Sequence, residues 1–239
     1  MKTLKKILLS ALLISASAAS YAEEPALRLV QADIKARALY VPEGFDSNDE
    51  VVVVVTGYLP SLCYRSPRAK CERQGTTFVI GVQASVMNYP TFCALVVMPF
   101  QLTVSLGNLP PGEYKIETKD MPTPQTLNVA AALTPNVDDH IYAQVRHVDT
   151  TPPGNKIILH AYIPSECLKY DRVKYVPNPS GTVLSILPIM KKVSDFCPMK
   201  MTPIKIELEL PAQYVRDNVL LHVRSMDGQS ANAILNFTP

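Results

Sequence analysis

The chain has 239 residues, of which 47% are apolar and 18% charged, with a formal net charge of +2. That balance excludes a highly charged disordered chain and gives no global electrostatic case for nucleic acid. Nine glycines against 21 prolines also argue against glycine-rich nucleotide loops, which need several φ > 0 positions or close backbone approaches to phosphate.

The first 22 residues read as a leader. Lys2, Lys5 and Lys6 form a basic start, Ile7 to Ala19 is apolar, and Ser20-Tyr21-Ala22 places small side chains at the −3 and −1 positions of a cleavage site. The apolar stretch of 13 residues is too short to span a bilayer, which takes about 20. No cysteine follows it, so a lipoprotein-type anchor is not supported, and no later segment is long and apolar enough to cross a membrane. Cleavage after Ala22 removes three of the 23 basic residues and none of the 21 acidic ones, leaving 20 against 21. The expected location is the periplasm or the outside of the cell.

Further along, the chain resembles itself at an offset of 104 residues: GYLPSLC (57–63) matches AYIPSEC (161–167), and Phe92-Cys93 matches Phe196-Cys197. Pro99 pairs with Pro203, and FQLTVSL (100–106) with IKIELEL (204–210). Upstream the offset becomes 107, because the first copy holds three extra residues around Glu43 to Asp49. A period of this size is that of a small domain rather than a solenoid repeat. The expected division is a signal peptide at 1–22 and two domains at 23–135 and 136–239, joined at Thr134-Pro135-Asn136.

Within each copy the apolar period is two, as for strands with one face in a core. Expected strands in the first copy are 34–41, 51–58, 77–86, 94–98, 100–106, 114–118 and 127–131. The unbroken run Val51 to Val55 reads as a central strand covered on both sides. Val219, Leu221 and Val223 alternate with Leu220, His222 and Arg224, which puts His222 in solvent. Pro99 and Pro203 read as a bulge or a switch between sheets. About seven short strands per copy define the fold class: all-β, with two tandem immunoglobulin- or fibronectin-like antiparallel sandwiches.

Cys63 and Cys93 are 30 positions apart, as are Cys167 and Cys197. In an exported chain disulfides are the default, and the repeat favours one bridge per copy. Tyr175 occupies the place that matches Cys71. Cys71 is then a spare thiol, an intermolecular partner or a redox-sensitive site, and a Cys63–Cys71 bond with Cys93 free stays open.

Catalytic motifs are missing: there is no HExxH, GxSxG, CxxC, P-loop or EF-hand loop. Asp138-Asp139-His140 reads as a polar strand start rather than a metal fragment, since adjacent residues on an extended chain point apart. No metal and no cofactor is expected. The charged feature that survives the repeat is basic: Arg65, Arg68 and Lys70, extended by Arg73, correspond to Lys169, Arg172 and Lys174. Both sets are expected in a loop after the first cysteine of their copy. They suit an anionic envelope glycan, a lipid headgroup or a protein partner's carboxylate, or else simply keep a surface solvated and block edge pairing.

The order of motifs is a strand ending LP-x2-C, a basic segment, two strands, FC, PF-x-L-x-V-x-L and a PPGEY turn. It resembles immunoglobulin-like sandwich repeats of secreted bacterial proteins of unknown function. The resemblance implies a fold and a compartment, and carries over no catalytic residue. The two-sandwich plan is also similar to periplasmic pilus chaperones, which hold a subunit carboxylate in a basic cleft, but no residue maps onto that cleft. The expected function is a non-enzymatic exported binding or structural module of the bacterial cell envelope. The alternative is a periplasmic chaperone or inhibitor that captures an extended peptide on an edge strand, with a hydrolase third.

Overall fold

The computed structural model describes residues 28–88, 93–151 and 154–236, so the expected leader lies outside the described residues. In chain order the strands are β1 (Arg28–Ile34), β2 (Ala36–Tyr40), β3 (Phe45–Asp46), β4 (Glu50–Leu59), β5 (Tyr64–Gln74), β6 (Thr77–Asn88), β7 (Met98–Asn108), β8 (Gly112–Thr118) and β9 (Met121–Ala130). They continue as β10 (Gln144–Asp149), β11 (Lys156–Ser165), β12 (Leu168–Pro177), β13 (Val183–Lys192), β14 (Met199–Glu209), β15 (Val219–Arg224) and β16 (Ser230–Leu235). Among the described residues the only helical piece is a 3-10 turn at Ala212–Tyr214. The protein is all-β.

The strand expected at 34–41 is two strands, because the chain changes sheets at Lys35. Ile34 pairs with Val82, whereas Ala36 pairs with Gly57 on a different sheet. The Ala36 N–H, out of register at the switch, donates to the Asp120 carboxylate at 2.9 Å. Gly57 is required there: a Cβ would meet Phe100 Cζ at 2.5 Å and the Lys35 carbonyl at 2.9 Å.

The first core lies between a three-stranded sheet, β2-β4-β7, and a six-stranded sheet running β5-β6-β8-β9-β3, with β1 alongside the far half of β6. Val51, Val53, Val55, Ile80, Ile116 and Leu127 form its buried centre. The second core lies between β10-β11-β14 and β12-β13-β15-β16, around Leu159, Leu184, Ile186, Leu221 and Val223. The ladders correspond: Val53↔Val104, Val55↔Leu102 and Tyr58↔Pro99 reappear 104 positions on as Ile157↔Leu208, Leu159↔Ile206 and Tyr162↔Pro203.

Three expectations are corrected here. The sheets are mixed rather than wholly antiparallel, since β6–β8, β13–β15 and β3–β9 are parallel. The chain leaves β6 for β7 in the facing sheet and returns as β8 in the direction of β6, so a strand of the opposite layer serves as the crossover that parallel pairing needs. Pro99 and Pro203 mark no sheet switch, and a register irregularity adjoins Pro203 alone, between Ile163 and Ser165 on the facing strand. The two prolines sit on β7 and β14, which each pair with a single strand, and an edge accepts a residue without an N–H. Finally, 94–97 is not a strand, and Leu95 is 86% exposed.

The two sandwiches stack face to face. Tyr40 and Val54 of the β2-β4-β7 sheet pack on Val183 and Leu220 of the β12-β13-β15-β16 sheet. This is why Val51 to Val55 lacks alternation: odd positions fill the first core and Val54 fills the junction. It also corrects the expectation for β15, in which all six residues are buried and His222 has no exposed surface. Along β15, Leu220 meets Val54 and Arg224 meets Asp49. The two sandwiches therefore run in opposite senses, and their disulfide-bearing ends point to opposite poles.

Candidate binding surface

The basic residues expected in loops lie on strands. Tyr64–Gln74 is β5, the edge of the six-stranded sheet, and Lys169, Arg172 and Lys174 lie on β12, the edge of the four-stranded one. On β5, Ala69 and Cys71 pack against the core, while Arg68 and Lys70 point outward and are exposed. Arg65 sits beside a register irregularity, with Ser66 at φ 49°.

Lys70 lies opposite Gly81 on β6. Because residue 81 has no side chain, the Lys119 stem lies over it, its Cδ and Cε at 3.4 Å from where a Cβ would stand. Lys119, from the β8–β9 turn, is thereby delivered to the same face as Arg68 and Lys70. Among the described residues the carboxylate within ion-pair distance of these cations is Glu72, 3.1 Å from Lys70, and Asp33 and Glu117 share the face two strands away, across Gln83 and Val79. Hydrogen bonding from Lys70, then the charges of Lys70 and Lys119, hold the Glu72 carboxyl below the usual range. Lys119 was not legible beforehand, because it lies far along the chain and only the parallel β6–β8 pairing brings it in.

Arg73 is committed elsewhere. Its guanidinium lies over the Phe78 and Tyr114 rings at 5.3 and 5.9 Å, and Nε donates to the Gly75 carbonyl at 2.9 Å. On β12, Asp171 takes Arg172 at 2.5 Å and Lys191 at 3.3 Å, and Lys191 stands opposite Lys169. Lys174 stands opposite Leu187 on the face turned toward the first sandwich, and its side chain is exposed.

The structure does not bring the two basic sets together. β5 borders β7, and β7 meets the second sandwich through Thr103 and Asn232. β12 meets the opposite flank, where Val176 touches Gly44 and the following Asn178 donates to the Val41 carbonyl.

The cysteines pair as 63–93 and 167–197, with Cα separations of 5.7 and 5.5 Å. Cys71 is free and half-buried on β5, and burial, followed by the charge of Glu72, pushes its thiol pKa up. That is the opposite of an activated thiolate.

The acidic fragment after the junction has structural work. Asp139 accepts from the N–H groups of Leu133 and Thr134, and Asp138 from those of Asp227 and Gly228. Asp138 also lies 3.9 Å from Arg224, whose guanidinium pairs with Asp49 and lies between the Phe45 and Tyr142 rings. Among the described residues no group of three or more His, Cys, Asp or Glu is placed to hold a metal.

Residues 53–129 match the family model of the ORF11 beta-sandwich domain, a stretch that runs from within β4 to within β9. It is 77 of the 239 residues and supports a β-sandwich fold for the first half of the chain. No curated protein and no solved structure is significantly similar to this chain.

Two disulfides are compatible with a secreted or extracellular protein. Among the described residues no helix is long and apolar enough to cross a membrane.

Proposed function

We propose that this chain is an exported, non-enzymatic binding or structural module of the bacterial cell envelope, built as two copies of one immunoglobulin-like sandwich (23–135 and 136–239) behind a leader at 1–22. The corresponding strand ladders support the duplication, and the disulfides support export. The non-enzymatic reading rests on the lack of a catalytic motif in the sequence.

The observation that carries a binding role is the cationic outer face of the first sandwich. Arg68, Lys70 and Lys119, with Arg65 nearby, project from a sheet face that also carries Glu72, 3.1 Å from Lys70, and, two strands away, Asp33 and Glu117. Such a face suits a polyanion with charges spaced along it. The test is elution from dextran sulfate as salt rises. The native chain should be retained, and an Arg68→Ser, Lys70→Ser, Lys119→Ser variant should elute at clearly lower salt with unchanged thermal stability. Retention that ignores both salt and these substitutions would remove the reading.

Capture of an extended peptide on an edge strand is less well supported. β5 carries an irregular register and Pro67, and β7 and β14 carry Pro99 and Pro203. Prolines, irregularities and charges are what discourage strand addition.

A further inference from the structure

At one pole of the second sandwich the turn between β11 and β12 meets the segment between β13 and β14. The Cys167–Cys197 bond joins them, and the Val193 N–H donates to the Cys167 carbonyl at 2.7 Å. This stapled end carries Val193, Phe196, Met199 and Met201 on its surface. Phe196 is 93% exposed and Met199 81%. Exposure this high means that the side chains project outward rather than line a groove. Large apolar groups are seldom clustered so on a soluble surface without a use.

Cations frame the apolar tip. Lys169 and Lys191 are cross-strand neighbours, Lys192 stands opposite Leu168, and Lys200 lies between the two exposed methionines. With Arg172 these are five cations against three carboxylates, Glu166, Asp171 and Asp195. Asp171 is shared by Arg172 and Lys191, and Asp195 is 2.8 Å from Lys192. Next to Cys167 is a crevice of about 300 Å³ lined by Leu168, Met190 and Ile204, together with Lys169, Lys205 and Glu207.

We infer that this end docks on an anionic lipid surface, with Phe196 and Met199 entering the interfacial layer and the lysines meeting headgroup phosphates. The inference rests on the anionic-ligand reading above and assigns Lys169 and Arg172 of the β12 set to lipid. A projecting apolar tip needs no matching pocket in its target. A bilayer accepts it without specific contacts, and long lysine stems lie along the apolar boundary while their ammonium groups stay at phosphate level. The disulfide fixes the tip beforehand, so little ordering is left to be done on docking. The corresponding end of the first sandwich exposes its own apolar group, Leu62, Leu95, Val96, Val97 and Met98, but lies at the other pole and is not presented to the same surface.

The experiment uses the full mature chain with both disulfides formed, sedimented with vesicles of phosphatidylglycerol and phosphatidylcholine or of phosphatidylcholine alone. Binding should require phosphatidylglycerol. Phe196→Ser with Met199→Ser should lower the partition coefficient by at least roughly tenfold, since two large apolar contacts are lost. Lys191→Glu with Lys192→Glu should remove the dependence on anionic lipid, and Leu95→Ser at the opposite pole should change nothing. Circular dichroism and Tm confirm that each variant is folded.

Equal binding to both vesicle types, no binding to either, or wild-type binding by the Phe196 and Met199 double variant would overturn the inference. So would a tip that binds a protein from envelope extracts but no vesicle. Dextran sulfate separates the two readings: retention there without vesicle binding removes the lipid assignment alone, whereas failure on both removes the anionic-ligand reading as well.

Discussion

His222 shows what the junction does to a single side chain. Its strand turns it away from the core of its own sandwich and into the face of the other, 5.5 Å from the Phe45 ring. Nδ1 bonds the Asn232 side chain at 2.8 Å, while Nε2 is buried with no hydrogen-bond partner. Desolvation, reinforced by the charge of Arg224 and partly opposed by the Asn232 bond, lowers its pKa from 6.5 to about 4. The unfolded chain therefore takes up this proton at a higher pH than the folded chain does. Stability contributed by neutral His222 is complete above about pH 6.5 and is lost progressively as pH falls toward about 4, a loss of about 3 kcal/mol in all. Denaturant titrations across that range should give a shallower pH dependence for His222→Leu than for the native chain. Parallel slopes would show that His222 is not the titrating group. Arg224 differs, because a buried guanidinium needs its charge met. Burial alone would lower its pKa, but the hydrogen bond and charge of Asp49 more than offset this and hold it above the ordinary value.

The element most informative about the limits of the sequence is β5. YRSPRAKCERQ has too many charges to look like a strand, yet Ala69 and Cys71 alternate with Arg68, Lys70 and Glu72. The alternation is sufficient despite the composition, because an edge strand of an exposed sheet needs only small or apolar groups on one face. The reverse holds at 94–97, where an apolar run belongs to no strand and residues 95–97 are exposed beside Cys93. The disulfides, in contrast, followed from the repeat, since equal spacings of 30 selected one pairing per copy. A closed loop of that length corresponds to about 3.6 kcal/mol in chain entropy. Cys63→Ala with Cys93→Ala should lower the unfolding free energy by about that much, and Cys167→Ala with Cys197→Ala similarly. Cys71→Ala should leave both bonds in place in a non-reducing peptide map, and a changed pairing would contradict their independence from Cys71.

At the scale of the molecule, corresponding faces of the two sandwiches diverge in polarity. Val52, Val54 and Thr56 on β4 correspond to Lys156, Ile158 and His160 on β11. Leu187 and Ile189 on β13 correspond, by their pairing with β12 rather than by the 104-residue offset, to Gly81 and Gln83 on β6, which pair with β5. Two apolar faces meet in the middle of the stack, and their polar equivalents are left outside in water. Val54→Asp would place a charge in that junction without entering either core. It should cost roughly 3 kcal/mol and enlarge the radius of gyration in solution scattering as the sandwiches part. An unchanged radius and unchanged stability would mean that the sheets do not depend on this contact.

Strand class, core phase and the favoured cysteine pairing were legible in the sequence itself, because each depends on spacing along one chain. Only the tertiary structure decided which faces are wet. Period two separates the sides of a strand but does not reveal whether the second side meets water or another sheet. His222 and Arg224 therefore read as surface residues until the first sandwich is placed against them. The same holds for the basic residues: their positions recur along the chain, but the stacking sends them to opposite flanks, and the parallel strand pair supplies Lys119 to only one.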